Sequence, residues 1–308
     1  MMTKNKTMLY GSMVAMQAVI YALGNAITKI AYESITPFWG MFFRFALAFA
    51  LFMILFGKNI ILELKASSLM TWLPSSLCVS ATYIFCNLSL AMTTATNAGF
   101  LISLSILFVP FFEAVIMNRK YKLKYLPAQA LVIVGLYLLC SNGGSFSFGP
   151  GELLGLLSSV AMAGALVFGE KGLENMNVMT ISTAQIGLTV ILSLVGAVIL
   201  EPNFQITAVQ PSAWMILLYL SIASTCLAFW LQNKALTALP STQVSLILCS
   251  EPVFTAACSW LLLGEVLSSI GFAGTVIIIG CIFAETYMLS NDEADCVLQA
   301  ECIPSQEI

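Results

Sequence analysis

The chain is 308 residues long, 59% hydrophobic and only 9% charged, with a net charge of −3. A soluble domain carries about 25% charged residues, so a water-soluble globular fold is excluded and a bilayer is the solvent that suits this composition. There a spanning helix takes about 20 apolar residues. The first apolar run, from Met8 to about Ile30, follows Lys4 and Lys6 as a secretory signal would. It is too long for a signal, no small-residue cleavage site follows it, and more runs come after, so it reads as a retained membrane helix. Nine further runs cover roughly 37–57, 68–90, 96–118, 125–141, 151–170, 179–200, 212–234, 241–263 and 268–289. Pro37, GKN at 57–59, SNGGSFSFGPG at 141–151, EPN at 201–203, Pro211 and Pro240 punctuate them. Long continuous runs call for helices, because barrel strands are short and alternating. The expected fold is all-α and integral to the membrane, with ten transmembrane helices. The acidic, polar stretch 290–308 is expected to be a disordered tail.

With the N-terminus in the cytoplasm and ten crossings, ten of the twelve Lys and Arg residues fall on the inner side. Only Lys29 and Arg44 fall in the outer half. The positive-inside rule therefore predicts cytoplasmic N- and C-termini. The nine Cys form no CxxC pair and the chain has no His. Seven Cys lie in apolar runs, where they read as packing residues.

An internal repeat is legible. NLSLAMTTATNAGFLISLSILFVPFFEAVIMNRK, from Asn87, aligns with NKALTALPSTQVSLILCSEPVFTAACSWLLLGEV, from Asn233. Asn falls on Asn, Thr96 on Thr242, and Leu107-Phe108 on Val253-Phe254. Five spans per half is an odd number, so the halves insert with opposite orientation. Such inverted repeats are common in secondary transporters, whose substrate sites lie near the midplane between the repeats. The expected halves are 8–141 and 151–289.

These features, with LCSEPVFTAACSWLLLGE followed by GFAGTVIIIGCIFA, resemble the drug/metabolite transporter superfamily, in its group with two EamA domains. Glu251-Pro252, Gly264-Glu265, Gly274 and Gly280 match that family's second-repeat signature. The first half departs from it, with Ser105-Ile106 and Asn118-Arg119 at the corresponding places. The resemblance covers about 8–289. It implies a small-solute carrier, often an exporter, in the inner membrane of a bacterium, and leaves the substrate open.

Glu251 lies about ten residues into a helix that starts near Ser241, hence about 15 Å deep and close to the bilayer centre. A charge there costs about 2.5–3.5 kcal/mol. Pro252 lacks a donor and frees a backbone carbonyl near Leu248. Two readings stand: a substrate or proton site at a flexible point, or a neutral Glu bonded across a packed interface with a structural or gating role. Proton carriage by Glu251 would rest on burial disfavouring its charged form; uniport or exchange needs no such group. Polar stripes at helical spacing favour a shared central cavity. They are Gln17, Tyr21, Asn25 and Lys29; Ser76, Ser80, Tyr83 and Asn87; Asn97, Leu101 and Ser105; Ser182, Gln185, Thr189 and Ser193; and Gln243, Ile247, Glu251, Thr255 and Ser259. Arg44, about 10 Å in from the outer side, is the candidate for an anionic substrate group, with Glu33 or a carbonyl as alternative partner. Trp230 lies deep enough to stack on a ligand. The candidate substrate-binding set is therefore Gln17, Tyr21, Arg44, Tyr83, Asn87, Asn97, Gln185, Trp230, Gln243 and Glu251. Gly151, Gly155, Ser159 and Ala163 form a close-packing face. Glu113 and Glu285 are expected to pair with the basic loop at 119–124.

GALVFGEKG at 164–172 lacks the spacing and the soluble strand of a phosphate loop. The lack of His excludes His triads and His metal sites, and no basic aromatic patch suggests nucleic acid. No cofactor or catalytic residue is expected. The expected partners are a small-molecule solute, membrane lipids and, for a coupled carrier, protons, with the chain a monomer or homodimer. The function expected is secondary transport of an amino-acid-like or drug-like metabolite by alternating access. The rivals are a carrier of lipid or lipid-linked substrates and an intramembrane enzyme.

Overall fold

The computed structural model describes residues 4–119, 126–141, 149–263, 268–282 and 284, and among them every regular element is helical. Lys120, Lys122, Lys124, Gly264-Glu265, Glu285 and the tail at 290–308 lie outside the described residues. The helices are α1 (Lys4–Ala31), α2 (Pro37–Ala66), α3 (Leu69–Met92), α4 (Ala95–Ser103), α5 (Ser105–Ile116), α6 (Leu126–Ser141) and α7 (Pro150–Leu173). They continue as α8 (Val178–Leu200), α9 (Pro211–Ser221), α10 (Ala228–Leu236), α11 (Ser241–Leu248), α12 (Glu251–Leu263) and α13 (Ser269–Ile282).

Eight stretches, 7–31, 37–66, 69–92, 95–116, 150–173, 178–200, 211–236 and 241–262, are long and apolar enough to cross a membrane. Shorter apolar helices at Gln129–Leu138 and Ser269–Ile282 stand at the fifth and tenth places. Turn chemistry sets the boundaries. Pro37, Pro150 and Pro211 open helices where their missing N–H has no partner to lose. Thr94 and Asn177 cap α4 and α8 by accepting from Asn97 N and Met179 N. Asn118, at φ 52°, ends α5 in the left-handed turn that Asn tolerates best after Gly.

Three spans are discontinuous, which their unbroken apolar runs do not announce. The fourth breaks at Leu104 between α4 and α5, and the ninth at Cys249 and Ser250 between α11 and α12. In the eighth, a π turn at Ile222–Leu227 separates α9 from α10. The repeat alignment lays Ser103 on Cys249, Leu104 on Ser250 and Ser105 on Glu251, so the two breaks are equivalent. They also meet: the Cys249 thiol points at the Ser103 carbonyl, 3.6 Å away.

The packing repeats itself between the halves. α1 lies against α12, as α7 lies against α4 and α5; α1 meets α9 and α10, as α7 meets α3; α2 meets α9, as α8 meets α3. The second and seventh spans pack on one another, as do the fourth and ninth. The α2–α8 pair makes the inversion visible. Glu63, near the end of α2, accepts from Asn177 N and Thr180 Oγ1 at the start of α8. Glu201, just past α8, accepts from Thr36 Oγ1 and the backbone of Phe38 and Trp39 at the start of α2. Each helix's C-terminal carboxylate thus sits on the positive N-terminal end of its antiparallel partner, where a helix favours an anion. The Gly151–Ala163 face packs within the chain: a Cβ on Gly155 would come within 2.6 Å of Leu101 Cδ1, so only Gly admits this approach of α7 to α4.

Candidate functional site

A closed-in cavity lies beside the two breaks, with about 60 Å³ open to the centres of water molecules. At roughly 10–15 Å³ per water that is room for a handful of waters. Its polar wall is built in layers along α1, whose 3.6-residue period puts Tyr21, Asn25 and Thr28 on the cavity side. Nearest the side of the bundle where the chain starts, Gln17 donates to Gln232 at 2.5 Å. One turn further, the Tyr83 hydroxyl donates to Tyr21 at 3.0 Å. At the opposite end the Tyr32 hydroxyl donates to Asn87 Oδ1 at 2.6 Å, and Asn87 donates to the Tyr83 carbonyl.

Between these layers two ionisable side chains face the same space. Glu251 is the first residue of α12, 7% exposed, and its Oε1 accepts from Asn25 Nδ2 at 2.8 Å. Pro252 behind it falls in a first helical turn, where its missing N–H breaks no bond. The break therefore sets Glu251 at a half-helix N-terminus, pointing across to the first half of the chain. Arg44 on α2 is 6% exposed and is held by the second half. Its Nε donates to Thr225 Oγ1 at 2.8 Å, and its Nη2 to the Ser224 carbonyl and hydroxyl at 2.8 and 3.1 Å. The π turn supplies that carbonyl. Ala228 N–H reaches back five residues to Ala223 and is diverted from its helical partner, Ser224. The guanidinium also lies 5.2 Å from the ring centres of Phe45 and Tyr83, and Tyr83 stacks on Phe229 at 5.7 Å. Among the described residues no carboxylate lies within ion-pair distance of Arg44 and no cation within that distance of Glu251.

Tyr21, Arg44, Tyr83, Asn87 and Glu251 thus line one cavity, and Gln17 bonds the lining residue Gln232. The other four candidates stand elsewhere. Asn97 belongs to the first turn of α4, next to Thr93. Gln185 is consumed in a buried network with Ser75 and Asn233. Trp230 is not among the lining residues; on the regular helix α10 it is Phe229 and Gln232 that face the cavity. Gln243 faces a separate crevice on the lipid side of α11. Asn25, Thr225 and Gln232 carry more of the arrangement than their place in the sequence announced. Asn25 stands in the α1 stripe; Thr225, Phe229 and Gln232 stand at i, i+4 and i+7 along the eighth span, where apolar neighbours interrupt any continuous polar stripe.

A second polar cluster lies toward the chain-start side of the bundle. Glu170 accepts from Ser241 N and Oγ at 2.7 and 2.5 Å, and Glu113 from Thr242 N and Oγ1 at 2.9 and 2.8 Å. Arg119 bridges both, 2.5 Å from Glu170 and 3.9 Å from Glu113. Two carboxylates from the fourth and sixth spans thereby cap α11, which has no side-chain cap of its own. No group of three potential metal ligands occurs among the described residues.

A relative in Archaeoglobus fulgidus, described as an uncharacterized transporter, is 28% identical over 283 residues, spanning 89% of this chain and 96% of its own length. A second transporter of that organism is 26% identical over 266 residues, covering 86% of this chain and 82% of its own length. An uncharacterized transporter of Haemophilus influenzae is 28% identical over 144 residues, 45% of this chain and 84% of its own length. A solved crystal structure superposes with a TM-score of 0.75 at 16% identity, covering 92% of this chain and 97% of that one, a likeness of fold. The model of the EamA-like transporter family matches twice, at 9–141 and 149–285, one match for each half. The chain is a multi-pass membrane protein and belongs to the EamA-like transporter family.

Proposed function

We propose that the chain exports a small solute carrying both a positive and a negative group, of amino-acid-like size, by alternating access. The carrying observation is the pair Arg44 and Glu251, two opposite charges that line one cavity without pairing with each other. An unpaired charge in the membrane interior is costly, and a bound zwitterion supplies a partner to each. The solute's anionic group meets Arg44, which offers a planar fork of donors, and its cationic group meets Glu251. Each residue is held by the other half of the molecule: Arg44 by Ser224 and Thr225, Glu251 by Asn25. Solute binding at both therefore bears on the interface along which the halves rock. The breaks at Leu104 and at Cys249 and Ser250 leave short half-helices that can tilt separately. The distribution of Lys and Arg supports cytoplasmic termini, and with them a site loaded from the inside. Coupling to protons follows if Glu251 carries one when the cationic group leaves.

Cells expressing the wild type, Glu251→Gln or an empty vector are to be compared for the solutes they release. One amphoteric compound is expected to accumulate outside only with the wild type. Equal release by wild type and variant at equal expression removes the carboxylate from the mechanism. No difference between wild type and empty vector overturns the export direction.

A further inference from the structure

A second concavity lies on the outside of the bundle, on the other face of the α11–α12 break from the cavity. It is a crevice of about 460 Å³ between the start of α1, the end of α13 and the α11–α12 break. Gly11, Ala15, Ile247, Phe254 and Ile282 supply apolar walls. It opens sideways: Met8 and Ile279, both on its rim, are exposed, and so are the neighbouring Leu9 and Met16. From Thr7 to Ala15 it runs along α1 for about 12 Å, close to the roughly 15 Å depth of one leaflet of the hydrocarbon core. Of its polar lining residues, Thr7 and Gln243 stand at the chain-start mouth, Ser12 further in and Ser250 at the break. The Ser12 and Ser250 hydroxyls are taken by the Leu9 and Ile247 carbonyls. The Gln243 amide, half-buried there, makes no side-chain hydrogen bond with the described residues. A polar amide at the edge of hydrocarbon needs a partner, and neither the described residues nor an acyl chain provides one.

We propose that this crevice is a binding site for one phospholipid. One acyl chain lies along Gly11, Ala15 and Ile247, and Gln243 donates to an ester or headgroup oxygen at the mouth. The length, near that of one leaflet, the apolar walls and the unbonded amide at the mouth match the two parts of that molecule. A Cβ built on Gly11 meets only Ile247 Cδ1, at 3.6 Å, so glycine here leaves open the space that the chain fills. The lipid lies against Ile247, at the end of α11, and Ser250, in the break itself and next to Glu251, which faces the cavity. It thereby supports the ninth span where that span is discontinuous.

The test is native mass spectrometry of the purified full chain, released from detergent with graded amounts of dioleoyl phosphatidylethanolamine. The wild type is expected to hold one lipid at concentrations where a control on another lipid-facing surface, Leu194→Phe, behaves the same. Gly11→Phe fills the groove and is expected to weaken that first lipid about tenfold, and Gln243→Leu about threefold, as the loss of one hydrogen bond does. If Gly11→Phe fails to fold, Ala15→Leu narrows the same groove with a smaller change. Equal lipid retention by wild type, Gly11→Phe and Gln243→Leu overturns the proposal. So does a switch in subunit number with the lipid count per chain unchanged, which would make the crevice an interface between copies.

Discussion

The fourth and ninth spans occupy equivalent places in the two halves and break at equivalent residues, yet they are chemically unlike. The ninth breaks just before Glu251-Pro252; the fourth breaks just before Ser105-Ile106, with no carboxylate at the break and with its proline, Pro110, five residues further on inside α5. The discontinuity therefore needs no carboxylate and no proline at the residue after the break. Glu251 is free to serve another end. The starts of the two spans differ as well. α4 is capped by its own Thr94. α11 relies on Glu170 and Glu113, bridged by Arg119. One half closes locally, and the other is fastened by its neighbours.

Four substitutions test this contrast, in descending order of effect. Glu251→Gln is expected to lower transport tenfold to a hundredfold, since a hydrogen bond to a charged group is worth about 1.5–3 kcal/mol. Its melting temperature should stay near the wild type's, as the fourth span breaks without a carboxylate. A collapse of the fold in this variant, read by thermal unfolding, would make Glu251 structural and undo the comparison. Next comes Glu170→Ala, which strips the start of α11 and leaves Arg119 facing only Glu113. A loss of about 2–3 kcal/mol in unfolding free energy is expected. Thr94→Ala, at the equivalent place in the other half, should cost about 1 kcal/mol, the usual value of one cap. If the two variants prove equally costly, the two starts are fastened alike. Smallest is Pro252→Ala, expected to change stability by less than about 1 kcal/mol and transport by less than about twofold. A large loss in solute flux would show that the second half depends on a proline at the place where the first half has Ile106.

Much of this was readable before any coordinates. The spans follow from runs of apolar residues long enough to cross hydrocarbon. The inverted halves follow from the odd number of spans in each repeat, and the α1 stripe from its four-residue spacing. Arg44 and Glu251 stood out because a charge deep in an apolar run is rare. Depth alone did not say which way a side chain faces. Trp230 lies deep in the eighth span, but its neighbours Phe229 and Gln232 are the ones that line the cavity. Gln243 shares a four-residue spacing with Glu251, yet it faces the lipid-side crevice with Ile247, Ser250 and Phe254. Gln185, with the look of a site residue, is absorbed by Ser75 and Asn233.

Composition and periodicity alone determined that this chain lives in a bilayer as a helical inverted repeat, because hydrocarbon admits a backbone only when its polar groups are satisfied within each segment. Which polar side chains meet, and which are spent on one another, only the tertiary structure decided. Those outcomes hang on breaks and π turns of a few residues. Their backbone groups are satisfied by partners far away in the chain, such as Arg44 at Ser224 and Glu170 at Ser241, and no local pattern encodes a partner that distant.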